Sequence, residues 1–340
     1  MRDNRSTSEP ARKAALQKAA PFLLGAIGVV CFSLTFPTTA AAEVSFSPLT
    51  VGVGRSVVAA IPAIIALLGR RQPLLPPREA MGRMLIVVAT VGVGFGLLSA
   101  LALRQVGSVH TAVIAGLIPA ATAGMAAWRG GERPSRGYWG ALALGLGAVI
   151  AFALIQGGGT VRLPDLVLLV AITVGGLGYA EGGVLARTYG GWRVICWAIV
   201  LALPISVPVT VIAVIADPPK HIALSASAGL AYLGVVSMCL GFFAWYQAMA
   251  TGGVAAIGRL QLAQPALTLG WSALLLSEHV SLLSAAAAAV VIIATAIGRN
   301  AKVERRPMVA AGPTGAAQES TAQPAPTTPV LNATSKTPTS

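Results

Sequence analysis

The stretch LRQVGSVHTAVIAGLIPAATAGMAAWRGGERPS, residues 103–135, has a counterpart in MATGGVAAIGRLQLAQPALTLGWSALLLSEHVS, residues 249–281. Without a gap, a single offset of 146 residues relates Gly107 to Gly253, Pro119 to Pro265 and Glu132 to Glu278. Shared hydrophobicity would align any two apolar helices, but it would not preserve the spacing from proline to glutamate. The chain is therefore predicted to contain an internal repeat.

The composition places this repeat in a membrane. Of 340 residues, 24 are basic and 11 acidic, which is 10% of the chain against roughly 25% in soluble domains. Mean hydropathy is +0.77. About ten stretches are long and apolar enough to cross a bilayer: 20–39, 48–68, 83–103, 107–128, 137–156, 164–186, 194–216, 223–249, 254–276 and 281–298.

The offset separates the fourth stretch from the ninth, so each copy of the repeat holds five helices. Because five is odd, the second copy must cross the membrane in the opposite direction, which is an inverted-topology repeat. The sequence thus predicts an all-α polytopic membrane protein of about ten transmembrane helices. The first five-helix repeat is expected over residues 20–156 and the second over residues 164–298.

The basic residues are distributed unevenly between the two sides. With the N-terminus inside, 19 lysines and arginines lie on inner segments, and Arg104, Arg162 and Lys220 lie outside. This bias predicts a multi-pass plasma-membrane protein with both termini in the cytoplasm. It also explains the net charge of +13 without a nucleic-acid partner.

The two ends of the chain are predicted to lie outside the helical bundle. Residues 1–19 form a basic cytoplasmic N-terminus. Residues 299–340 are rich in Pro, Ala, Thr and Ser, which predicts a disordered cytoplasmic tail. The run from Pro21 to Phe36 also resembles a cleavable signal, but its removal would deprive the first copy of its opening helix.

No sequence motif indicates an enzyme. The chain has no HExxH, GxSxG or nucleotide-binding loop, and its three histidines are far apart in sequence. Its three cysteines lie inside apolar runs, as small core residues do. No catalytic residue, metal or cofactor is therefore expected. Transport of a substrate against its concentration gradient would be driven by an ion gradient or by the gradient of another substrate. A proton is the candidate coupling ion.

Glu181 and Tyr179 are two candidates to line a substrate cavity. Glu181 is the one carboxylate well inside a predicted span, where a charge costs at least ~2.5 kcal/mol and needs a polar cavity or a partner. It could instead reach water at the inner end, since Arg187 follows six residues later. Its predicted role is in coupling or in recognition of a cation.

Gln261 and Gln264 are the other two cavity candidates. At the repeat offset they replace Ala115 and Ile118, so the span itself accepts apolar residues at these positions. Spaced three apart before Pro265, they share one helical face. They could line the cavity, which is expected between spans 1, 3, 6, 8 and 9, or they could form hydrogen bonds between helices.

Six further residues are candidates for gating or structural roles. Arg55 and Arg259 lie within spans and could extend to opposite interfaces. The prolines and glutamates of the repeat mark helix breaks and charged turns: Pro119, Pro265, Glu132 and Glu278.

The sequence Gly131-Glu132-Arg133-Pro134-Ser135, followed by Gly140, Gly145 and Gly147, resembles the EamA family of the drug/metabolite transporter superfamily. Arg55 also resembles that family's second-helix arginine. The resemblance covers about residues 20–298. The second copy departs from it, because Ser277 replaces the glycine before Glu278 and span 10 has lost its central glycines.

The resemblance implies a ten-helix bundle with a central cavity that exports amino acids, related metabolites or drugs. The leading hypothesis is a secondary active exporter of small metabolites, working by alternating access within the lipid bilayer. Within that hypothesis Arg55 is a structural or gating cation more than a substrate ligand. A membrane-embedded transferase or lipid-modifying enzyme is the alternative, and it would require a cluster of acids, bases or metal ligands at one depth.

Overall fold

The chain is almost entirely helical in a computed structural model, which describes residues 8–129, 133–219, 221–253, 257–300 and 303–304. Within these ranges, the only extended pairing joins two residues on each side. Strand β1 (Arg133–Pro134) runs antiparallel to β2 (Val303–Glu304). The predicted all-α architecture is confirmed.

Thirteen α-helices are described, with two π-helical segments and one 3-10 segment among them. In chain order they are α1 (Ser8–Ser33), α2 (Thr35–Glu43), α3 (Pro48–Gly69), α4 (Arg78–Val87), the π-helix Val88–Gly94, α5 (Phe95–Ala115), α6 (Ile118–Arg129), α7 (Arg136–Gln156), α8 (Leu163–Tyr189), α9 (Gly191–Ala216), α10 (Leu224–Ala231), the π-helix Tyr232–Gly241, α11 (Phe242–Gly252), the 3-10 helix Arg259–Ala263, α12 (Gln264–Leu276) and α13 (Leu282–Asn300).

Seven continuous helical stretches in the described ranges are long and apolar enough to cross a membrane. They are Ala19–Glu43, Pro48–Gly69, Arg78–Ala115, Arg136–Gln156, Leu163–Tyr189, Gly191–Ala216 and Leu224–Gly252, and two shorter apolar helices follow at Leu260–Leu276 and Leu282–Ile297. The third stretch is 38 residues long and is broken inside α5 at Gly107, where φ is 79° and ψ is 171°. The chain is therefore a multi-pass membrane protein, and the count of ten spans stays a prediction.

The repeat offset of 146 residues also relates local backbone features. Gly107 and Gly253 both have positive φ, of 79° and 83°. Helix α6 begins at Ile118 and α12 at Gln264, each with a proline as its second residue. The π-helix Val88–Gly94, moved by the offset, falls inside the second π-helix, Tyr232–Gly241. The two copies thus share breaks and irregular turns as well as hydrophobicity.

The helix after each repeat turn begins with the same cap. The Ser135 Oγ accepts a hydrogen bond from the Tyr138 N–H at 3.3 Å, and the Ser281 Oγ accepts one from the Ser284 N–H at 3.1 Å. A serine that accepts from the N–H three residues later satisfies one of the free donors at a helix start. This cap fixes the starts of α7 and α13 at equivalent positions.

Helix α8 lies at the centre of the bundle because its glycines let other helices approach closely. Gly175 faces the ring of Phe95, and a Cβ added at Gly178 would meet Val91 at 2.5 Å. A Cβ added at Gly182 would overlap the ring of Tyr246. Small residues at such contacts allow helix backbones to pack closely in a membrane.

The bundle has two ends that differ in charge. At one, which we call the basic end, the Trp197 indole N–H donates to the Pro73 carbonyl at 2.8 Å, and Arg70 lies 4.7 Å from the ring of Trp192. At the other, the distal end, the Ala223 N–H donates to the Ser45 Oγ at 3.1 Å. The basic end corresponds to the side that the sequence predicts to be cytoplasmic.

The described structure extends into both predicted terminal segments. Helix α1 begins at Ser8, inside the predicted N-terminal segment 1–19, and α13 continues to Asn300. Of the predicted tail 299–340, β2 is the only other described part, and the rest lies outside the described residues.

Candidate functional site

A small cavity lies in the middle of the bundle, with room for about one water molecule in a free volume of about 20 Å³. Residues of α1, α2, α3, the first π-helix, α5, α8, the second π-helix, α11 and α12 form its wall: Phe32, Thr35, Phe36, Arg55, Val91, Phe95, Tyr179, Ser237, Met238, Phe242 and Gln264. Both copies of the repeat contribute to it. The expected spans 1, 3, 6, 8 and 9 are all represented, and span 2 adds Arg55.

Arg55 is the only charged residue among the described residues of this wall. Its side chain is buried, with 6% of the residue exposed, and its Nε has no hydrogen-bond acceptor among the described residues. The guanidinium carbon lies 5.8 Å from the centre of the Phe95 ring, within range of a cation–π contact. An arginine inside a membrane-spanning segment costs about 2.5–3.5 kcal/mol on insertion scales, and this contact offsets only part of that cost.

Close packing of α3 against α5 holds Arg55 in place. A Cβ added at Gly52 would lie 2.7 Å from the Gly96 carbonyl oxygen, and one added at Gly96 would clash with the Arg55 guanidinium. The two glycines therefore bring the helices together and leave space for the arginine. No other residue type fits at Gly96 without moving that cation.

Aromatic rings form most of the remaining wall. The Phe32 and Phe242 ring centres lie 4.8 Å apart, and Phe242 meets Tyr179 at 5.5 Å, nearly edge to face. Phe36 and Phe95 lie 6.5 Å apart on the side of Arg55. Such tilted pairs are a favourable geometry for aromatic packing.

Three neutral polar groups complete the cavity. The hydroxyls of Thr35 and Ser237 are hydrogen-bonded at 2.8 Å, joining the first copy to the second. The Oε1 of Gln264 is buried and has no donor among the described residues. Because one hydroxyl proton serves the Thr35–Ser237 bond, the other remains available to a ligand.

Glu181, predicted as a cavity residue, lies at the basic end and is not among the described residues of the cavity wall. It is 1% exposed, and its carboxylate binds two arginines from other helices. Arg83 Nη1 donates to Oε2 at 3.1 Å, and Arg129 Nε donates to Oε1. We call these three residues the Glu181 triad, which joins α8 to α4 and α6.

The structure places the other candidate residues as follows. Gln261 is buried, and its Nε2 has no acceptor among the described residues, but it does not line the cavity. Pro119 and Pro265 are the second residues of α6 and α12, where a missing N–H costs little. The side chain of Arg259 and the whole of Glu132 lie outside the described residues.

Glu278 binds backbone at the distal end. Its carboxylate oxygens accept hydrogen bonds from the N–H groups of Ser108 and Val109, at 3.1 and 2.9 Å. These donors follow the break at Gly107 and begin the second part of α5. Glu278, from the second copy of the repeat, therefore caps the start of a helix in the first copy.

A second, larger pocket of about 480 Å³ lies beside Glu278. In its wall, His110 Nε2 and Asp165 Oδ1 are 2.6 Å apart, and the other Asp165 oxygen accepts from the Arg162 N–H at 2.9 Å. The two carboxylates of its wall, Asp165 and Glu278, are thus already bound within the chain. Nowhere in the described ranges do three His, Cys, Asp or Glu residues come together as metal ligands would.

Sequence reasoning missed several residues of these sites. Arg83 and Arg129 lie 98 and 52 residues from Glu181, and no local pattern relates them. Ser237 carried a usable signal, because the repeat offset relates it to Val91 and both line the cavity. A comparison of residues that the offset of 146 relates, asking which pairs could both line the cavity, would have identified Ser237.

Apolar helices in one bundle, two like copies of a fold and a small, mainly aromatic cavity between them are features of a membrane transporter. Sequence comparison agrees. The model of the EamA-like transporter family matches twice, over residues 20–154 and 162–298, and the chain belongs to that family. The resemblance found in the sequence is thereby confirmed, and the transferase alternative is not favoured.

Individual relatives support the same family. The chain is 42% identical over 276 residues to the uncharacterized transporter YdeK of Bacillus subtilis, covering 81% of this chain and 96% of that protein. A protein crystal structure matches with a TM-score of 0.58 at 16% identity, over 82% of this chain and 96% of that one. At that identity the match shows a shared fold.

Proposed function

We propose that this chain is a secondary active transporter that exports small metabolites, such as amino acids or drugs, by alternating access. The observation that carries the proposal is the small cavity whose wall both copies of the repeat form. Its wall takes Phe36, Arg55 and Phe95 from the first copy and Tyr179, Phe242 and Gln264 from the second. A site built from both copies changes its access when they move against one another.

The proposed topology has ten spans and both termini in the cytoplasm. The break at Gly107 ends the third span within the stretch Arg78–Ala115, and the eight residues after it continue into α6 to make up the fourth span. The two shorter apolar helices, Leu260–Leu276 and Leu282–Ile297, supply the ninth and tenth spans. The basic side chains at the end with Arg70 and Arg83 then face the cytoplasm.

Contacts at both ends close the proposed pathway. At the distal end α2 packs on α10, and a Cβ added at Gly229 would lie 3.5 Å from the Ala42 Cβ. At the basic end the Glu181 triad joins α8 to α4 and α6. Alternating access requires that these two closures open in turn.

The proposed coupling ion is a proton, and Glu181 is its proposed carrier. Both carboxylate oxygens accept from arginines. Protonation would remove the negative charge that attracts Arg83 and Arg129, so it would weaken the closure at the basic end. Export, rather than import, follows the family resemblance, and the transporter named among the relatives supports transport of a small molecule.

The experiment measures access to the cavity from each side. Ser237→Cys is made in a chain whose native cysteines, Cys31, Cys196 and Cys239, are replaced by alanine, and right-side-out and inside-out vesicles are treated with a membrane-impermeant thiol reagent. A second chain adds Ala42→Cys and Gly229→Cys, whose Cβ atoms would lie 3.5 Å apart, within the range for a disulfide. The Cβ added at Gly229 would also lie 2.7 Å from the Thr38 carbonyl oxygen, so the two helices must shift slightly to accept it. The reduced form of this chain is the control.

Alternating access predicts labelling of Ser237→Cys from both sides. Oxidation of the distal pair should abolish labelling from outside and increase labelling from the cytoplasmic side. Labelling that remains equal from both sides after oxidation, or that occurs from neither side in any form, would contradict the proposal.

A further inference from the structure

We propose that the central cavity selects a small organic monoanion, a carboxylate joined to an apolar or aromatic body, and that Arg55 is the residue that binds its charge. The proposal rests on the proposed transport function and specifies the substrate class of the same cavity. It assigns to Arg55 a ligand-binding role in place of a structural or gating one.

The charge of the cavity has no internal counterpart. Arg55 is 94% buried and its Nε has no acceptor among the described residues, although a guanidinium has five N–H donors. The buried carboxylate of Glu181 is bound to Arg83 and Arg129 instead. A buried cation without a carboxylate is the electrostatic arrangement that favours an incoming anion.

The neighbouring polar groups suit one carboxylate. A guanidinium binds a carboxylate through two parallel N–H···O bonds. The hydroxyl proton left over from the Thr35–Ser237 pair can supply a further donor to the same oxygens. With one cation in the described wall, a single negative charge is balanced and a second is not.

The aromatic wall determines the rest of the ligand. Phe32, Tyr179 and Phe242 pack together on one side, and Phe36 and Phe95 on the other. In the described form the cavity has room for about one water molecule, so these rings offer an apolar surface to the body of a ligand once the two copies move apart. No carboxylate in the described wall could pair with an ammonium group, and Arg55 would repel one, so the cavity disfavours organic cations that carry no negative charge.

The first test uses the full-length protein, purified in detergent, and a set of compounds with similar bodies. Thermal-shift titrations compare benzoate with benzamide and benzylamine, phenylacetate with phenylalanine, and chloride as a simple anion. Benzoate is expected to bind about tenfold to a hundredfold more tightly than benzamide, the range expected when a hydrogen-bonded partner carries a charge. Benzylamine and chloride are expected to have no effect at the concentration where benzoate saturates.

The second test changes the cation. Arg55→Gln should remove the preference for benzoate over benzamide, and Arg55→Lys should keep part of it. Arg104→Gln is the matched control, because Arg104 is exposed and is not in the described cavity wall. Without ligand, Arg55→Gln should unfold at the same temperature as wild type or higher, since it removes an unbalanced buried charge; a purely structural arginine would give a lower temperature.

Equal effects of benzoate and benzamide on wild type, no effect of any carboxylate, or a preference for benzylamine would overturn the proposal without requiring any variant to fold. An effect of chloride equal to that of benzoate would overturn the requirement for an apolar body. The access measurement on Ser237→Cys is independent of these titrations. Benzoate selectivity without alternating access would refute transport alone, and alternating access without benzoate selectivity would refute the anion site alone.

Discussion

Replacing Glu181 with glutamine should open the basic end of the bundle. The wild-type carboxylate is 1% exposed and accepts from Arg83 and Arg129, whose side chains are 45% and 38% exposed. An amide keeps the shape of the carboxylate and one acceptor oxygen but loses its charge. The two arginines can then turn towards water, because each is already partly hydrated.

The size of the effect follows from this asymmetry of burial. A charge-assisted hydrogen bond contributes about 1.5–3 kcal/mol, and partial exposure of the arginines reduces that contribution. We expect Glu181→Gln to weaken the closure by about 1–2 kcal/mol, which changes the ratio of open to closed forms by roughly 5- to 30-fold. Replacing Arg83 and Arg129 together by glutamine leaves a buried carboxylate without a counterion, a loss of about 3–5 kcal/mol.

The assay uses a cysteine placed behind the Glu181 triad. Thr90 is buried, and a Cβ added at Gly178, one turn of α8 before Glu181, would contact it. Thr90→Cys in the cysteine-free chain is labelled in inside-out vesicles, and the labelling rate measures how often the basic end opens. The rate should rise in Glu181→Gln and rise further in the double arginine variant.

The control is a charge change of the same kind away from the triad, Arg78→Gln, since Arg78 is exposed at the start of α4. Its labelling rate should equal that of the parent chain. Rates in Glu181→Gln that match the parent would refute the closure, and a smaller effect in the double arginine variant than in Glu181→Gln would refute the argument from burial.

Two further predictions concern stability, measured as the thermal unfolding temperature in detergent. Gly182→Ala should lower the unfolding temperature, because the added methyl overlaps the ring of Tyr246. Gly147→Ala should leave it unchanged, since a Cβ there meets no atom within 4 Å. Equal effects of the two changes would contradict close packing on α8. Glu278→Gln should cost about 1 kcal/mol, because it removes the negative charge from the helix start after Gly107, and an unchanged unfolding temperature would show that this cap contributes nothing.

The repeat explains why so much of the fold could be predicted from the sequence. Gly107 and Gly253, or Pro119 and Pro265, mark backbone breaks whose cause is local, a positive φ or a missing N–H. Local causes can be recognised in one sequence, and a constant offset between them reveals the two copies. The same reasoning indicated that Glu181 needs a partner or a polar cavity.

The identity of that partner could not be predicted, because it depends on how the helices pack. Arg83 and Arg129 meet Glu181 only when α4 and α6 lie against α8, and the sequence does not specify which helices are neighbours. The orientation of Arg55 could not be predicted for a related reason. Seven residues into its predicted span, it could have extended to the interface, and only the close approach of Gly52 to Gly96 directs its guanidinium inwards.

The paired π-helices give the cavity a means of changing its wall without unfolding. A π-helix makes i→i+5 hydrogen bonds and holds more residues per turn than an α-helix. If the segment Tyr232–Gly241 relaxed to α-helical geometry by one residue, the side chains beyond the slip would rotate by about 100° and shift by about 1.5 Å along the axis. Such a slip would carry Ser237 off the cavity wall and separate its hydroxyl from Thr35, and the same slip in Val88–Gly94 would move Val91. The two copies therefore carry π-helical segments at matching positions, and both segments contribute side chains to the wall of the cavity.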